Sequence, residues 1–547
     1  MSTGRVASLP FCWILAAAIA LAIYGSALDG PFISDDALFL VINPFTATLS
    51  PESLREMLDP WGEAQVSSYA PVHLLATALE LQAFGDDPLG YHVVNVLIHA
   101  LNATLLLALL VASRLPPAFA LFGALFFLVH PANVEAVAWI SQLKTNGSLA
   151  FALGAVLAFR RHPGIATALF VMGLLTKASA AAALPMAAAL AWSMGGKSEE
   201  EGRAGGGAAP WLWLAAWLLL LLLFAIPQST AIHPRGTTEV AAYQDFGVHV
   251  RTIASVGTHY LVMAYTGLGV AYAQEIPPVV SPLDAWWLAA LPLAGFFVWR
   301  SAASLRRRSE EAIYWLGAAA GFAPVSQLLP FLHPIADRYL YFILPGLIGG
   351  TLLLLRQVLE ARSASSIPGL GSPAVRGVAA ASAIAVLIAL GVQSAARAAL
   401  WTDHTLLLTD SADHFPDGRN AYFLRARRAA AQGDAGASVA LLRRAVELGG
   451  DQLQFDPAFQ PIRQHPGFRA LSRELAGRYI ALVSSLERPL QRELSALAAA
   501  HLERGEYGEA ERALEAAIRR GGIMKPQLEF ELDWVRRLRA EIGRKPR

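Results

Sequence analysis

Apolar residues in this chain fall in long unbroken runs, not in strict alternation. A bilayer-crossing helix needs about 20 mostly apolar residues, and a charge at its centre costs at least about 2.5 kcal/mol, so the informative unit is the stretch between successive charges. Twelve such stretches stand out: residues 6 to 28, 88 to 113, 115 to 134, 145 to 159, 162 to 176, 178 to 196, 204 to 234, 252 to 274, 285 to 299, 312 to 336, 339 to 355 and 377 to 396. Each predicts a helix. The 15-residue stretches depend on their flanks, where the stems of Arg160, Lys177 and Arg300 can lie along lipid while the charged heads reach the interface. The first stretch carries Gly25 and Ala27, a passable small-residue cleavage pattern, but it lacks a strongly basic start and many spans follow. It reads as an uncleaved anchor.

Composition sharpens the picture. Of 547 residues, 55% are apolar and only 16% charged, which indicates a membrane protein. Of the 85 Asp, Glu, Lys and Arg residues, 43 lie in the last 150 positions, so the chain divides into residues 1–397 and 398–547. A net charge of +1 excludes a general nucleic-acid polycation, and the single cysteine, Cys12, excludes an intramolecular disulfide framework or a cysteine metal cluster.

Lys and Arg accumulate in cytoplasmic loops, and this sets the orientation. If residues 252 to 274 do not cross, eleven spans remain, and with the N-terminus in the cytoplasm the inner loops carry 13 basic residues against seven outside. The inner group includes Arg5, Arg114, Arg160, Lys197, Arg203, Arg300, the run Arg306 to Arg308, and Arg356. If the stretch did cross, that run would land on the wrong face. Gly257, Gly267 and Gly269, followed by Pro277 and Pro278, suggest instead a re-entrant or interfacial segment, a broken helix lining a cavity. This topology puts residues 29 to 70, the loops around 130 to 146 and 228 to 251, the segment near 337 and the C-terminal region on one outer face.

The unusual polar residues are found in these places. Asp35 and Asp36 are adjacent just beyond the first helix, and like charges so close raise one pKa, which suits a general base, a metal site or a shared proton. Alternatively Asp36 caps the following ALFLVI helix. HPANVEAVAWISQLKTN follows a span directly and brings His130, Glu135, Trp139 and Lys144 to the membrane edge, with Pro131 breaking the incoming helix. The bland reading makes Trp139 an interfacial belt residue and Lys144 a snorkelling anchor. Lys177 separates two short apolar halves, and Arg338 with Tyr339 sits in HPIADRYLYFILPG. A cation held at a membrane edge inside a bundle is a candidate anion site, and a lipid-linked phosphate fits; Arg338 could instead pair with Asp337 or Asp36. Histidines at 73, 92, 99, 130, 233, 249, 259 and 333 match no zinc spacing, so no metal site is assigned, and dependence on a divalent metal stays open.

Residues 398–547 contain an internal repeat. RNAYFLRARRAAAQGDAGASVALLRRAVELGG and ELSALAAAHLERGEYGEAERALEAAIRRGG align at an offset of 72 residues, Gly433 on Gly505, Leu442 on Leu514 and Ala445 on Ala517. Helix, small-residue turn and helix is the pattern of tetratricopeptide repeats of about 34 residues, which stack into grooves for peptides or partner proteins. The intervening FDPAFQPIRQHPGFRAL predicts a cap or irregular helix pair. The Ser, Gly and Pro-rich stretches 195 to 210 and 361 to 376 read as inner loops.

In order, these features resemble the GT-C superfamily of polyprenyl-phosphate-sugar-dependent glycosyltransferases, and within it the transmembrane O-mannosyltransferase-like proteins with tetratricopeptide repeats. The resemblance rests on Asp35 and Asp36, on PVHLLATALELQAFGDDPLGYHVVNVLIHALNA with His92, Asn95 and His99, on HPANVEAVAWISQLKTN, Lys177, DRYLY, and ARAALWTDHTLLL leading into the repeats. The chain departs from the family pattern at Ala70, where an arginine usually precedes the proline, and at Ala178, where a glutamate often follows the lysine. The resemblance implies an all-α polytopic bundle of about eleven spans plus the re-entrant segment. It implies an outer-face glycosyltransferase moving a sugar such as mannose from a polyprenyl-phosphate donor to a protein or glycan acceptor, with no nucleic-acid partner. Asp35 or Asp36 would be the general base, with His130, Glu135, Lys144, Lys177, Arg338 and Tyr339 binding substrate. Two other readings stay open: a non-catalytic membrane scaffold presenting the repeats, and a transporter of lipid-linked sugars. The alanine and arginine richness points to a bacterial inner membrane, with the N-terminus cytoplasmic and residues 398–547 periplasmic.

Overall fold

The computed structural model describes residues 9–36, 39–40, 43–65, 68–200, 209–231, 245–326, 335–364, 373–449 and 456–544. Arg5, Arg203, Arg235, His233 and His333 lie outside them, as does part of the ALFLVI segment. Among the described residues every regular element is helical. Helix α1 (Leu9–Tyr24) leads through a 3-10 turn, Gly25–Asp29, into a small layer of α2 (Pro44–Ala47), α3 (Pro51–Leu58) and α4 (Pro71–Phe84). Proline opens each of these short helices, where its missing N–H costs nothing, and Asn43 and Ser50 cap α2 and α3 by accepting from Phe45 N and Ser53 N. Phe39, Phe45, Met57, Ala64, Leu74 and Ala78 form this layer's own buried core.

The bundle continues with α5 (Pro88–Ala112), α6 (Pro117–Leu128), α7 (Val134–Ala138), α8 (Leu143–Phe159), α9 (Pro163–Thr176), α10 (Ala183–Glu200), α11 (Ala209–Ala231) and α12 (Phe246–Thr266). It closes with α13 (Ala285–Arg306), α14 (Glu311–Phe322), α15 (Asp337–Ala364) and α16 (Pro373–Ala398). Leu212, Leu219, Leu222, Val298, Val378 and Ile388 point outward from α11, α13 and α16, the arrangement of a protein whose surrounding solvent is lipid. Among the described residues seven helical segments are long and apolar enough to cross a membrane, or eight if α6 and the segment bent from it by 47° at Pro131 count as one crossing. The expectation of eleven exceeds this because α8, α9 and α14 have only 17, 14 and 12 residues. Tight helix packing replaces length: a Cβ on Gly346 would stand 2.5 Å from Tyr314 O and Ala318 N, so α14 and α15 meet backbone to backbone.

Among the described residues the stretch 252 to 274 is not one of those apolar enough to cross, and its helix stops inside it, at Gly267 and not at Gly257. α12 runs unbroken through Gly257 and ends at Gly267, whose φ of +70° terminates it in the left-handed conformation. A single interior glycine costs about 1 kcal/mol, too little to break a 21-residue helix held by packing.

Polar contacts mark two ends of the bundle. At one, Arg160 pairs with Glu310 (2.9 Å), Arg356 donates to Arg114 O (2.9 Å), and Arg300 engages both oxygens of buried Glu311 (2.6 Å each). These arginines belong to the group that the charge count assigns to one face. The other end holds the loops after α1, α6 and α9, the start of α15 and the end of α16. That end also carries the C-terminal region.

There α17 (His404–His414) precedes two hairpins, α18 (Arg419–Ala431) with α19 (Ala435–Glu447) and α21 (Gln491–Arg504) with α22 (Tyr507–Ile518). Gly433 and Gly505, aligned by the repeat, both adopt φ +78°, and Leu442, Ala445, Leu514 and Ala517 are buried at matching positions. Between the hairpins a 3-10 turn, Pro457–Ile462, precedes one regular 19-residue helix, α20 (Pro466–Ser484), in place of the irregular pair expected. Pro466 sits at its first turn, where proline starts a helix. A final helix, α23 (Lys525–Arg544), covers the second hairpin. Two anchors hold the region to the bundle. Asp410 accepts from Tyr272 N (2.9 Å) and pairs with Arg397, while Glu275 accepts from Asn420 N. At the far side Glu63 accepts from Gln491 N (2.7 Å) and Arg520 (2.8 Å), and Ile523 and Met524 pack on the core beneath α2 to α4.

Candidate active site

The site is built on one face of α5. His92, Asn95, His99 and Asn102 recur at spacings of three and four and are all buried, which aligns them along one side of a helix. His92 bonds Gly30 O (3.0 Å), and Asn95 donates to Trp139 O (3.1 Å) and Ile140 O (3.2 Å). His99 and Asn102 meet the Tyr341 hydroxyl at 2.8 and 3.0 Å. The loop after α1, the loop after α6 and the start of α15 are thereby held on a common support.

On that support the chain turns at Ser34, φ +55°, and presents two aspartates in different settings. Asp36 is buried, and its two carboxylate oxygens accept from Ile33 N (2.8 Å) and Ser141 N (2.7 Å). It therefore ties the first loop to the second; the ALFLVI segment it could cap lies partly outside the described residues. Burial pushes its pKa up to about 7, against the opposing pull of those backbone N–H groups. Trp139 Nε1 adds a second tie to Ile33 O (3.1 Å) and stacks on Trp401 at 5.9 Å. Asp35 is half-buried, and its charge acts on Arg338, Tyr339 and Tyr272.

Arg338 pairs with Glu135, which also accepts from the Arg338 backbone N–H (2.7 Å). Neither Asp337 nor Asp36 takes that role; Asp337 accepts from Gln274 (2.8 Å). The Arg338 guanidinium lies over the rings of Trp139 (5.3 Å) and Tyr339 (5.0 Å), which fixes its plane. Lys177, in the break between α9 and the next helix, donates to Thr145 Oγ1 (2.7 Å), and Thr145 donates to Gln142. Lys144 sits over the Phe39 ring at 4.7 Å, and its charge reaches Lys177, as do those of Arg338 and Glu135. His130 is placed apart from this cluster. It is fully buried, packs on Phe126 at 5.2 Å, and its Nδ1 accepts from Ala132 N to close the Pro131–Asn133 turn.

Seven of the eight residues singled out in the sequence are thus linked, by contact or by the reach of their charges, into one cluster around the Glu135–Arg338 pair. Sequence reasoning missed Ser141, Thr145, Tyr272 and Trp401. Tyr272 and Trp401 lie more than 100 residues from Trp139, and no spacing rule could connect them. It treated His73 only as one structural histidine among several. Among the described residues no group of three or more His, Cys, Asp or Glu side chains gathers as a metal cradle would.

Fold and site together define a polytopic, all-helical membrane protein with a carboxylate and cation cluster at one end and a helical repeat region docked beside it. The resemblance read from the motifs holds in direct comparison. Over 151 residues, 26% of its length, the chain is 34% identical to the protein O-mannosyl-transferase Tmtc1 of Drosophila melanogaster. It is 30% identical over 154 residues to the protein O-mannosyl-transferase tmtc2 of Xenopus laevis, and 36% identical over 128 residues to the protein O-mannosyl-transferase F38B6.6 of Caenorhabditis elegans. The matched stretches cover 27% and 22% of this chain, and 18% of each of the three relatives. No family model matches the chain.

Proposed function

We propose that this protein is a membrane glycosyltransferase that moves a sugar, mannose by likeness to its relatives, from a polyprenyl-phosphate donor to a protein hydroxyl. The observation that carries the reading is the placement of half-exposed Asp35 beside the Glu135–Arg338 pair, with Lys144 and Lys177 within electrostatic reach of the same cluster. Asp35 takes the proton of the acceptor hydroxyl. The freed oxygen attacks the anomeric carbon, the bond from that carbon to the phosphate oxygen breaks, and the electron pair leaves with the lipid phosphate. A single displacement of this kind inverts the anomeric centre. Negative charge grows on the departing phosphate, where fixed cations at a membrane edge of low dielectric act more strongly than in water.

Asp36 is assigned a positioning role, because both its oxygens are engaged by backbone N–H groups. The repeat region, residues 398–547, is anchored on two sides of the site and would receive the acceptor. The arginine-rich end of the bundle is assigned to the cytoplasm and the site end to the periplasm, following the bias of basic residues toward the inside. Asp35→Asn in the full chain, assayed with a short-chain polyprenyl-phosphate mannose, is expected to lower kcat by roughly 10²- to 10⁴-fold, the usual worth of a general base. Unchanged turnover would remove Asp35 as the base. A chain that releases donor into the other leaflet without cleaving it would instead be a transporter.

A further inference from the structure

Among the described residues, His73 is a buried polar group near the site with no hydrogen-bond partner. It lies in the first turn of α4, is 1% exposed, and both of its ring nitrogens lack a hydrogen-bond partner. Its ring packs edge-on to Phe39 at 4.9 Å, the same ring that Lys144 covers from 4.7 Å. Lys144 and Lys177 both act on it electrostatically. Burial and these two cations hold the imidazole well below the usual histidine range, so it is neutral and carries one N–H. A buried N–H with no acceptor is rare in folded proteins, and here it stands beside two cations that would draw an anion to the same place.

We propose that the His73 imidazole donates its N–H to the phosphate of the lipid-linked donor, completing an anion site with Lys144 and Lys177. The assignment rests on the proposed function and deepens it. Each component contributes something different. The lysines supply charge, as flexible point cations; the imidazole is a planar donor immobilised by Phe39, so it sets where the phosphate sits. Phe39 holds the two together. It belongs to the core that carries α2 to α4, and Ile523 and Met524, in the segment that follows the second hairpin, pack on that core, so phosphate placement and repeat docking share one hydrophobic support.

The test uses the full chain in lipid nanodiscs and a short-chain polyprenyl phosphate without sugar as the probe, so binding is read apart from transfer. Wild type, His73→Asn and His73→Phe are compared for affinity, and ¹⁵N-histidine spectra are recorded with and without probe. Loss of one hydrogen bond to a charged group predicts roughly tenfold weaker binding for His73→Phe. His73→Asn, which keeps an N–H donor and also guards against misfolding of the larger variant, is expected to stay within about threefold of wild type. A resonance present in wild type and missing in both variants should shift when the probe is added. Equal affinity of wild type and a folded His73→Phe, or no histidine resonance that moves, overturns the role of His73 while leaving the glycosyltransferase reading intact. Failure of folded wild type to bind the probe at all overturns the phosphate site itself, and with it the donor class.

Discussion

Removing Arg338 should damage the protein more than removing Arg338 and its partner together. The Glu135 side chain is 4% exposed and that of Arg338 15%, so the pair lies almost wholly out of water. In Arg338→Met the methionine fills much of the volume, but the carboxylate of Glu135 stays buried with only the residue 338 backbone N–H (2.7 Å) and the more distant Lys177 to offset it. Breaking a buried pair by removing one partner costs about 3–5 kcal/mol, whereas replacing both with neutral groups is often close to neutral. Adding Glu135→Gln removes the stranded charge and keeps an amide oxygen to accept from the same backbone N–H. The double variant should therefore be more stable than Arg338→Met by about 2 kcal/mol or more. The assay is thermal unfolding of the full chain in one detergent at one heating rate, because membrane proteins of this size unfold irreversibly and midpoints depend on the scan. A midpoint for Arg338→Met equal to wild type, or a double variant no more stable than the single, would refute the claim that this pair is buried and coupled.

Asp36 predicts a pH signature. Its native pKa of about 7 exceeds the value near 4 of an unfolded aspartate, so its contribution to stability is complete below about pH 4 and is lost as pH rises through 7. The stability of wild type relative to Asp36→Asn should fall between about pH 4 and 7 and level off above that; a constant difference from pH 4 to 7 would contradict the assignment. Glu63 predicts coupling between the repeats and the first loop. Glu63→Ala removes acceptors for Gln491 N and Arg520, groups that are partly exposed, so a loss of about 1–2 kcal/mol is expected, seen as roughly tenfold faster hydrogen exchange near residues 519 to 524. Unchanged exchange there would show that the docking does not depend on Glu63.

Much of the architecture could be read from the chain because it follows from local chemistry. A run of some 20 apolar residues can satisfy its backbone in lipid only as a helix, and the small-residue turns at Gly433 and Gly505 announce hairpins wherever they are placed. The charge density jumps after residue 397, close to the end of the last apolar helix long enough to cross a membrane. Crossing number was less legible. The apolar runs mark α9 and α14 as helices, but at 14 and 12 residues their length does not settle whether they cross, and α14 packs closely on α15 at Gly346.

The two adjacent aspartates show the boundary most clearly. Their proximity, and so their electrostatic interest, is a property of the sequence; their difference is not. Asp36 binds the backbone of a residue 105 positions away, and the charge of Asp35 acts on an arginine more than 300 positions away. The same holds for Arg338, whose partner proved to be Glu135 and not its neighbour Asp337, and for His73, where helical position alone gives no hint of two unpartnered nitrogens. Periodicity and propensity act over a few residues, so the sequence by itself determined which segments are helices and which polar residues interrupt the apolar runs. Pairing, burial and the direction of a side chain depend on which distant segments share a low-dielectric space, and only the tertiary structure decided that.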